Sequence, residues 1–434
     1  MSGAAGTGGR RLRMGRLPGG LRLLTESDPQ AATVAAGFFI ASGARHDLPG
    51  GQGAAHFLEH LLFKGSESLS AAELNERLDW LGGAHNAFTS QEQTVYHIAG
   101  LPEDLPQLLD TLRELLRPAL RGADIEAERG VILEEIAMYA SQPGVRVVEA
   151  MQAEFWGTHP LGQSILGTPA SVGALDRTAL HTQLQRAYAP QAVLLVVTGA
   201  LDETGVWAWA ERELGEQWPW QGGSPAAPTS MPGTPTPTPA TSTLAAPTPS
   251  GQIRQLVWPG LERAQGAFAW PGLPARHPLR AAATVLAELT GGENSRLYWT
   301  LLDSGLADSA DLGHLDFQDC GSFEGGFSCD PDRAGEVTRL FLDTVAGLHR
   351  TPPTPAEVGS AARRLAAETG LRADTPAERL FTLGLENMHQ TGERPVTPED
   401  LTAEFRSVTP AQVQAVLSLC SLTQPSGALL LPAP

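Results

Sequence analysis

The feature that most limits how this chain can fold is a stretch of low sequence complexity near its middle, from Gly222 to Gly251. The stretch reads GGSPAAPTSMPGTPTPTPATSTLAAPTPSG and carries no charged side chain. Such a composition cannot bury a hydrophobic core and favours extended, polyproline-like conformations, so we predict a linker. An O-glycosylated stalk would have a similar composition, but nothing else in the sequence indicates secretion. The linker separates two halves of similar length, residues 1–221 and 252–434.

The length of 434 residues also exceeds the size at which one hydrophobic core keeps growing, so two or more domains are expected. Apolar patterning in the first half predicts strands at about 33–42, 86–99 and 191–200. It predicts helices at about 52–63, 71–81, 103–117, 123–140, 143–156 and 176–188. We therefore predict an α+β fold in which helices cover one face of a mostly antiparallel sheet.

The clearest chemical signal is the pentapeptide His56-Phe57-Leu58-Glu59-His60. Residues at positions i and i+4 of a helix share a face, so both imidazoles can reach one metal ion while Glu59 stays near a water bound to it. This is the H-x-x-E-H order, the reverse of the common zinc-protease motif. The alternative is a helix that carries two ordinary histidines.

A catalytic zinc site needs three protein ligands and an open position for water. The segment from Ala123 to Ile136 is predicted to be a helix, and its Glu128 and Glu135 are seven residues apart on one face. Either acid is a candidate third ligand. The alternative is that both belong to a solvated helix surface, as charge runs usually do.

Three segments of the first half resemble, in order and spacing, those of the pitrilysin-type zinc peptidases, family M16. They are HFLEHLLFKG from His56, HNAFTSQEQTVYHIAG from His85 and AERGVILEEI from Ala127. The resemblance is to bacterial subunits related to mitochondrial processing peptidase. In that family a glutamate 75 positions after the second histidine completes the zinc site, and this position is Glu135 here, not its neighbour Glu134.

The resemblance implies the duplicated fold of the LuxS and processing-peptidase metallohydrolases, with one catalytic half, and Zn²⁺ as the cofactor. A weak internal echo agrees with duplication, because Gly37–Ile40 and Ala44–His46 recur as Gly266–Ala269 and Ala275–His277. In the same alignment, the segment of the second half that corresponds to the motif has no metal ligands. His56, Glu59 and His60 correspond there to Ala283, Leu286 and Ala287.

The resemblance also assigns roles to single residues. Glu59 is expected to accept the proton of the attacking water and pass it to the leaving amine. Glu128 matches a second acid near the site that would orient His60, although a solvated glutamate is the alternative. Asn86, Ala87 and Phe88 would begin an edge strand to which an extended peptide adds.

Phe88 is expected to help form the pocket beside the scissile bond. A buried aromatic in an ordinary strand is the alternative for this side chain. His85 and His97 flank the segment and are predicted not to be metal ligands.

The second half departs from the family at two positions. Gly291–Tyr298 and Gly305–Ala307 resemble the stretches around which active members carry an arginine and a tyrosine that hold substrate and stabilise the oxyanion. Here Leu302 and Asp308 stand at those positions, and an aspartate would oppose a developing negative charge. Arg296 is a poor substitute, because its position belongs to the helix pattern itself.

We therefore predict the zinc-bearing subunit of an endopeptidase that cleaves peptides or unfolded segments. A homologous partner would supply the arginine and tyrosine, in a heterodimer or heterotetramer. The first alternative is a catalytically silent structural or binding subunit of such a complex. The second alternative is a zinc hydrolase that does not cleave peptides.

Composition excludes several other classes. The formal net charge of −18 argues against nucleic-acid binding and is explained most simply by solubility. Cys320, Cys329 and Cys420 are too few and wrongly spaced for a disulfide framework or a thiolate metal site. No run of about 18 apolar residues occurs and no apolar h-region follows the amino-terminal arginines, so no membrane association and a cytoplasmic location are predicted.

Overall fold

The computed structural model describes residues 9–82, 85–215, 218, 250–390, 392 and 394–433. The predicted linker lies outside the described residues except for its last two positions, 250 and 251. The chain forms two compact units. Of the described residues, the first unit contains those within 1–136, 163–236 and 371–398, and the second contains those within 137–162, 237–370 and 399–434. Each half of the sequence thus contributes one segment to the other half's unit, and the predicted boundaries at 221 and 252 stay a prediction.

The first unit is built on a six-stranded sheet in the order β1-β2-β6-β3-β5-β4. Its strands are β1 (Arg11–Arg16), β2 (Arg22–Ser27), β3 (Val34–Ile40), β4 (His85–Thr89), β5 (Thr94–Gly100) and β6 (Val193–Gly199). Only the β2–β6 pair is parallel, so the sheet is mostly antiparallel as predicted. β4 lies at one edge of the sheet.

The helices that belong wholly or mainly to this unit are numbered along the chain. They are α1 (Ala54–Leu62), α2 (Ala71–Trp80), α3 (Leu105–Leu115), α4 (Gly122–Ala140), α6 (Pro169–Ala174), α7 (Arg177–Ala187), α8 (Glu203–Ala210) and α12 (Pro376–Asn387). The predicted motif helix and the helices near 71–81, 103–117, 123–140 and 176–188 are therefore all present, with ends that differ by a few residues.

One predicted strand was wrong. Residues 86–99 do not form a single strand, because a turn over residues 90–93 separates β4 from β5. The Ser90 amide donates to the Gln93 carbonyl at 2.8 Å, and the polar run from Ser90 to Gln93 closes the hairpin. The hairpin pairs Ala87 with Tyr96 and Thr89 with Thr94.

Both faces of the first sheet are covered, which also corrects the expectation of helices on one face only. Alternate side chains of β3, such as Phe38, pack in the core that includes α1, α3 and α7. The intervening side chains, such as Phe39, pack against Leu380 and Leu383 of α12. Every residue of β3 and β6 is buried, as expected for strands covered on both sides.

Polar contacts fix α12 on this face. Arg379 donates two hydrogen bonds to the Glu26 carboxylate, and each of these side chains is 4% exposed. At the other end of α12, the Arg22 guanidinium donates to the Asn387 carbonyl at 2.8 Å. Burial lowers the pKa of Arg22 to about 10, so the group stays charged near neutrality.

The second unit repeats this plan with a five-stranded sheet in the order β7-β11-β8-β10-β9. Its strands are β7 (Ile253–Trp258), β8 (Ala264–Gly272), β9 (Ser309–Asp316), β10 (Gly321–Cys329) and β11 (Ser426–Pro432). Its helices are α5 (Pro143–Trp156), α9 (Arg280–Gly291), α10 (Ala334–Arg350), α11 (Pro355–Arg372), α13 (Pro398–Arg406) and α14 (Pro410–Leu419). The strand order and directions equal those of the first sheet without β1.

The second unit also covers both faces of its sheet. α9, α10 and α14 pack on one face, and α5, from the first half of the sequence, packs on the other. The residues that the sequence aligns with the motif lie in α9 as buried apolar side chains: Ala283, Leu286 and Ala287. Among the described residues, no helix is both long enough and apolar enough to cross a membrane.

Candidate metal centre

α1 carries both motif histidines, and the residues before it fix where the helix begins. Gly53 has a φ of +91°, and a Cβ at this position would lie 2.5 Å from a carbonyl oxygen, so glycine is required. The Asp47 carboxylate accepts the amides of Gly53 at 2.8 Å and Ala55 at 3.0 Å, which caps the helix amino terminus. Burial raises the pKa of Asp47 to about 7.

The apolar side of α1 anchors the helix in the core. Phe57, Leu58 and Leu61 are at most 1% exposed and pack against the first sheet and neighbouring helices. Because the helical repeat separates residues 57, 58 and 61 from residues 56 and 60, the two imidazoles project together on another side. Their ring centroids are 4.7 Å apart.

His56, His60 and Glu135 converge as the sequence predicts. The Nε2 atom of each histidine lies 3.7 Å from Oε2 of Glu135, which is on α4. One ligand atom from each of the three residues lies within 4.8 Å of the others. Tetrahedral coordination with bonds of about 2.0–2.2 Å separates ligand atoms by about 3.3–3.6 Å, so the cluster fits a zinc-sized ion with little adjustment. The set of two imidazoles and one carboxylate is one that catalytic zinc uses.

The electrostatics of His56 also suit a ligand. Burial, with a smaller contribution from His60, lowers the pKa of His56 to about 4. The imidazole is therefore neutral at pH 7 and retains a lone pair for a metal ion. Its Nδ1 atom is buried without a hydrogen-bond partner in the described part of the chain.

Glu128 is a buried residue in contact with His60, not a solvated surface acid. Its Oε2 atom lies 3.0 Å from His60 Nδ1, and its side chain is 7% exposed. A carboxylate can only accept here, so Nδ1 is the donor of this hydrogen bond, and Nε2 lies on the side of Glu135, where a metal ion would bind. The second carboxylate oxygen of Glu128 lies 2.6 Å from Lys64 Nζ.

Glu59 lies beside the cluster and contacts β4. Thr89 Oγ1 donates a hydrogen bond to Glu59 Oε2 at 2.6 Å. Burial raises the pKa of Glu59, an effect that this hydrogen bond and His60 partly offset and Glu135 reinforces. A carboxylate with a raised pKa is a better proton acceptor near neutrality than an ordinary surface glutamate.

Asn86, Ala87 and Phe88 lie in β4 at the sheet edge, as the sequence predicts. The side chains alternate across the sheet, so that Ala87 faces the core beside α1. The Phe88 ring packs against Phe381 of α12, with a centroid distance of 6.2 Å, on the opposite face. The Phe88 side chain therefore lies on the face of the sheet opposite the metal cluster, and its expected role in a pocket beside the scissile bond stays a prediction.

His97 lies on that same opposite face, with its ring 4.7 Å from Phe381. Burial, and to a smaller extent His85, lowers the pKa of His97. Within the described ranges, one group of residues could hold a metal ion, and neither His85 nor His97 belongs to it.

Two contacts of the centre escaped sequence analysis: Thr89 with Glu59, and Lys64 with Glu128. Thr89 alternates with Ala87 along β4, so the strand period places both on the α1 face once the strand is known. Lys64 follows His60 by four residues just beyond the end of α1, a spacing that brings it to the same side as His60.

In the second unit, the two positions at which an arginine and a tyrosine were expected to be missing are structurally ordinary. Leu302 packs against the core, and Asp308 is an exposed acid paired with Arg263. Arg296 donates to the Glu357 carboxylate at 2.8 and 3.2 Å, which agrees with a structural use of this arginine.

Comparison with known proteins places the chain among peptidases. Residues 22–169 match the insulinase family of peptidases, family M16, and residues 174–365 match the M16 peptidase inactive domain. An uncharacterized zinc protease of Streptomyces coelicolor is 31% identical over 408 residues, which cover 93% of this chain and 86% of that protein. The β subunit of the mitochondrial-processing peptidase of Saccharomyces cerevisiae is 32% identical over 204 residues, 47% of this chain and 44% of that protein.

A solved structure shares the fold over nearly the whole chain. The M16 peptidase inactive domain from Pseudomonas fluorescens superposes with a TM-score of 0.84, covering 98% of each chain at 17% identity. At this identity the similarity establishes the fold alone.

Proposed function

Because this chain belongs to peptidase family M16, the insulinase family, we propose that it is the zinc-bearing subunit of a metalloendopeptidase that hydrolyses peptides or unfolded segments. The observation that carries this proposal is the convergence of one ligand atom each from His56, His60 and Glu135 within 4.8 Å. The relatives that are named zinc proteases support the choice of Zn²⁺.

In the proposed centre, His56, His60 and Glu135 hold the zinc ion. When bound, zinc polarises a peptide carbonyl and lowers the pKa of water toward neutrality. Glu59 accepts the proton of the attacking water and returns it to the leaving amine. Thr89 holds one Glu59 oxygen at 2.6 Å and so fixes the direction of the carboxylate. Glu128 is a positioning residue, because it touches His60 and not the reacting atoms.

Substrate is proposed to add to β4 as an extended strand. β4 has one neighbour in the sheet, β5, and Asn86 on it is exposed. Addition of a peptide strand uses main-chain hydrogen bonds, a mode that tolerates many side-chain sequences. Asn86, Ala87 and Phe88 then contribute main-chain groups, with Phe88 anchoring the strand from its other face through Phe381.

A homologous partner chain is proposed to supply the arginine and tyrosine missing at Leu302 and Asp308. A relative named as the β subunit of a processing peptidase supports assembly from unlike chains. The absence of the arginine and tyrosine from this chain also favours a second candidate function, a catalytically silent subunit of such a complex. A cytoplasmic location stays a prediction from the sequence.

The test is substitution of the proposed base. Glu59→Gln keeps the shape of the side chain but cannot accept a proton, so hydrolysis of a peptide library by the native complex should fall about 100- to 10,000-fold. Zinc content, measured in the same sample by atomic emission, should stay equal to that of the wild type. A Glu59→Gln protein that still cleaves peptides at the wild-type rate would refute the assignment.

A further inference from the structure

Lys64 is the only lysine in the sequence, and the other 29 of the 30 basic residues are arginines. The single lysine contacts the proposed metal centre. Its Nζ atom lies 2.6 Å from Oε1 of Glu128, while the other oxygen of Glu128 lies 3.0 Å from His60 Nδ1.

The backbone around Lys64 is held in place. The Lys64 amide donates to the Leu61 carbonyl at 3.1 Å, and its own carbonyl accepts Arg121 Nη1 at 3.2 Å. Gly65 follows with a φ of +87°, and a Cβ there would lie 2.3 Å from the carbonyl oxygen of Leu69. The chain therefore turns sharply after Lys64, and these contacts fix the backbone position from which its side chain reaches Glu128.

The charge on Glu128 needs a counterion because its side chain is 7% exposed. A buried carboxylate without an opposite charge is strongly destabilising. Lys64, whose side chain is 37% exposed, reaches this carboxylate from the solvent side. In the pair, one oxygen of Glu128 binds the ammonium and the other stays available for His60.

The geometry also explains why a lysine is used here. An ammonium is a compact point charge that can bind one carboxylate oxygen, whereas a guanidinium favours a two-pronged contact with both oxygens. A two-pronged contact would compete for the oxygen that now accepts from His60 Nδ1.

We propose that Lys64 is a positioning residue of the metal centre: it fixes Glu128, and through Glu128 the His60 ring, and so sets the affinity for zinc. The inference rests on the proposed zinc site and adds a residue to it. Partners of metal-bound histidines typically change metal affinity by about 10- to 100-fold when they are removed.

The first experiment measures zinc affinity by competition with a chelator on the full-length protein. Lys64→Met, which keeps the length of the side chain without its charge, should bind zinc about 10-fold more weakly than the wild type, the lower end of the range for a direct partner of a ligand, because Lys64 acts through Glu128. Lys64→Arg should recover only part of this loss. Arg339→Met is the matched control, because it removes an equal charge from an exposed ion pair in the second unit.

Zinc affinity of Lys64→Met equal to that of the wild type would overturn the inference and leave the zinc site intact. A wild-type protein that binds no zinc would instead refute the proposed function. The two failures are thus distinguishable.

The second experiment needs no Lys64 variant and so does not depend on its folding. Since the chain has one lysine, labelling with ¹³C,¹⁵N-lysine gives an NMR signal from a single side chain. The Lys64 Cε resonance should shift when zinc is added and should shift in Glu128→Gln. A resonance that responds to neither change would overturn the inference.

Discussion

At the scale of single residues, the centre is a set of side chains that hold one another. His60 is fixed through Nδ1 by Glu128, and Glu59 is fixed by Thr89. A catalytic group gains from such contacts because an already oriented carboxylate loses less freedom when the reaction begins. The hydrogen bonds that orient His60 and Glu59 are therefore as relevant to the proposed chemistry as the metal ligands themselves.

The Thr89 contact predicts a selective effect on turnover. Thr89→Val removes the hydroxyl that donates to Glu59, and a hydrogen bond to a charged group contributes about 1.5–3 kcal/mol, so kcat should fall about 10- to 100-fold. KM and zinc content should change little. Steady-state kinetics of the native complex provide the measurement.

Thr89→Ser is the control, since it restores the hydroxyl without the methyl group. It should recover most of the lost turnover. A valine variant with wild-type kcat would show that Thr89 does not orient the base.

Some features of the metal centre could be predicted from the sequence, and others could not. The helical repeat alone places His56 and His60 on one side of α1, and Glu135 follows from the family's spacing. The contacts of Thr89 and Lys64 join positions on different elements, about which local periodicity says nothing. The face that Phe88 occupies could not be predicted, because it depends on the turn over residues 90–93, which the predicted single strand did not contain.

At the scale of elements, α12 is the least predictable part of the first unit. The continuous apolar run of β3 is typical of a strand covered on both faces, a signal that the prediction of helices on one face overlooked, and it does not show which helix covers the second face. That helix comes from residues 376–387, far along the sequence from β3. One of its anchors is the buried contact between Arg379 and Glu26.

Removing one partner of this pair should be costly. Arg379→Met leaves the Glu26 carboxylate buried without its counterion, so the free energy of unfolding should fall by about 3–5 kcal/mol. Urea denaturation of the purified chain measures the change.

Arg146→Met serves as the control, because the Arg146–Glu149 pair is exposed and such a pair contributes about 0–1 kcal/mol. Equal losses for the two variants would show that the buried pair does not anchor α12.

At the scale of the whole molecule, the two units share one strand order, yet among the described residues only the first contains a cluster of side chains that could hold a metal ion. Duplication was visible in the sequence as a faint echo around Gly37 and Gly266. The sequence did not show that α5 packs in the unit of the second half and α12 in the unit of the first, because helix patterns do not show which sheet a helix will cover.

The proposed absence of the arginine and tyrosine at Leu302 and Asp308 leads to a prediction about assembly. The purified chain alone should hydrolyse a peptide library far more slowly than the complex isolated under native conditions from the source cells. A complex that carries Glu59→Gln in this chain is the control, and it should be inactive if the chain holds the active centre. Full activity from the single chain would contradict the need for a partner.

The most direct test of the proposed zinc centre is the zinc content of two variants at adjacent positions, Glu135→Gln and Glu134→Gln. Glu135 faces both histidines at 3.7 Å, whereas Glu134 is exposed on the same helix. After dialysis against a weak chelator, the wild type and Glu134→Gln should retain one zinc ion per chain, and Glu135→Gln should lose it. Retention by Glu135→Gln, or loss by Glu134→Gln, would contradict the proposed centre.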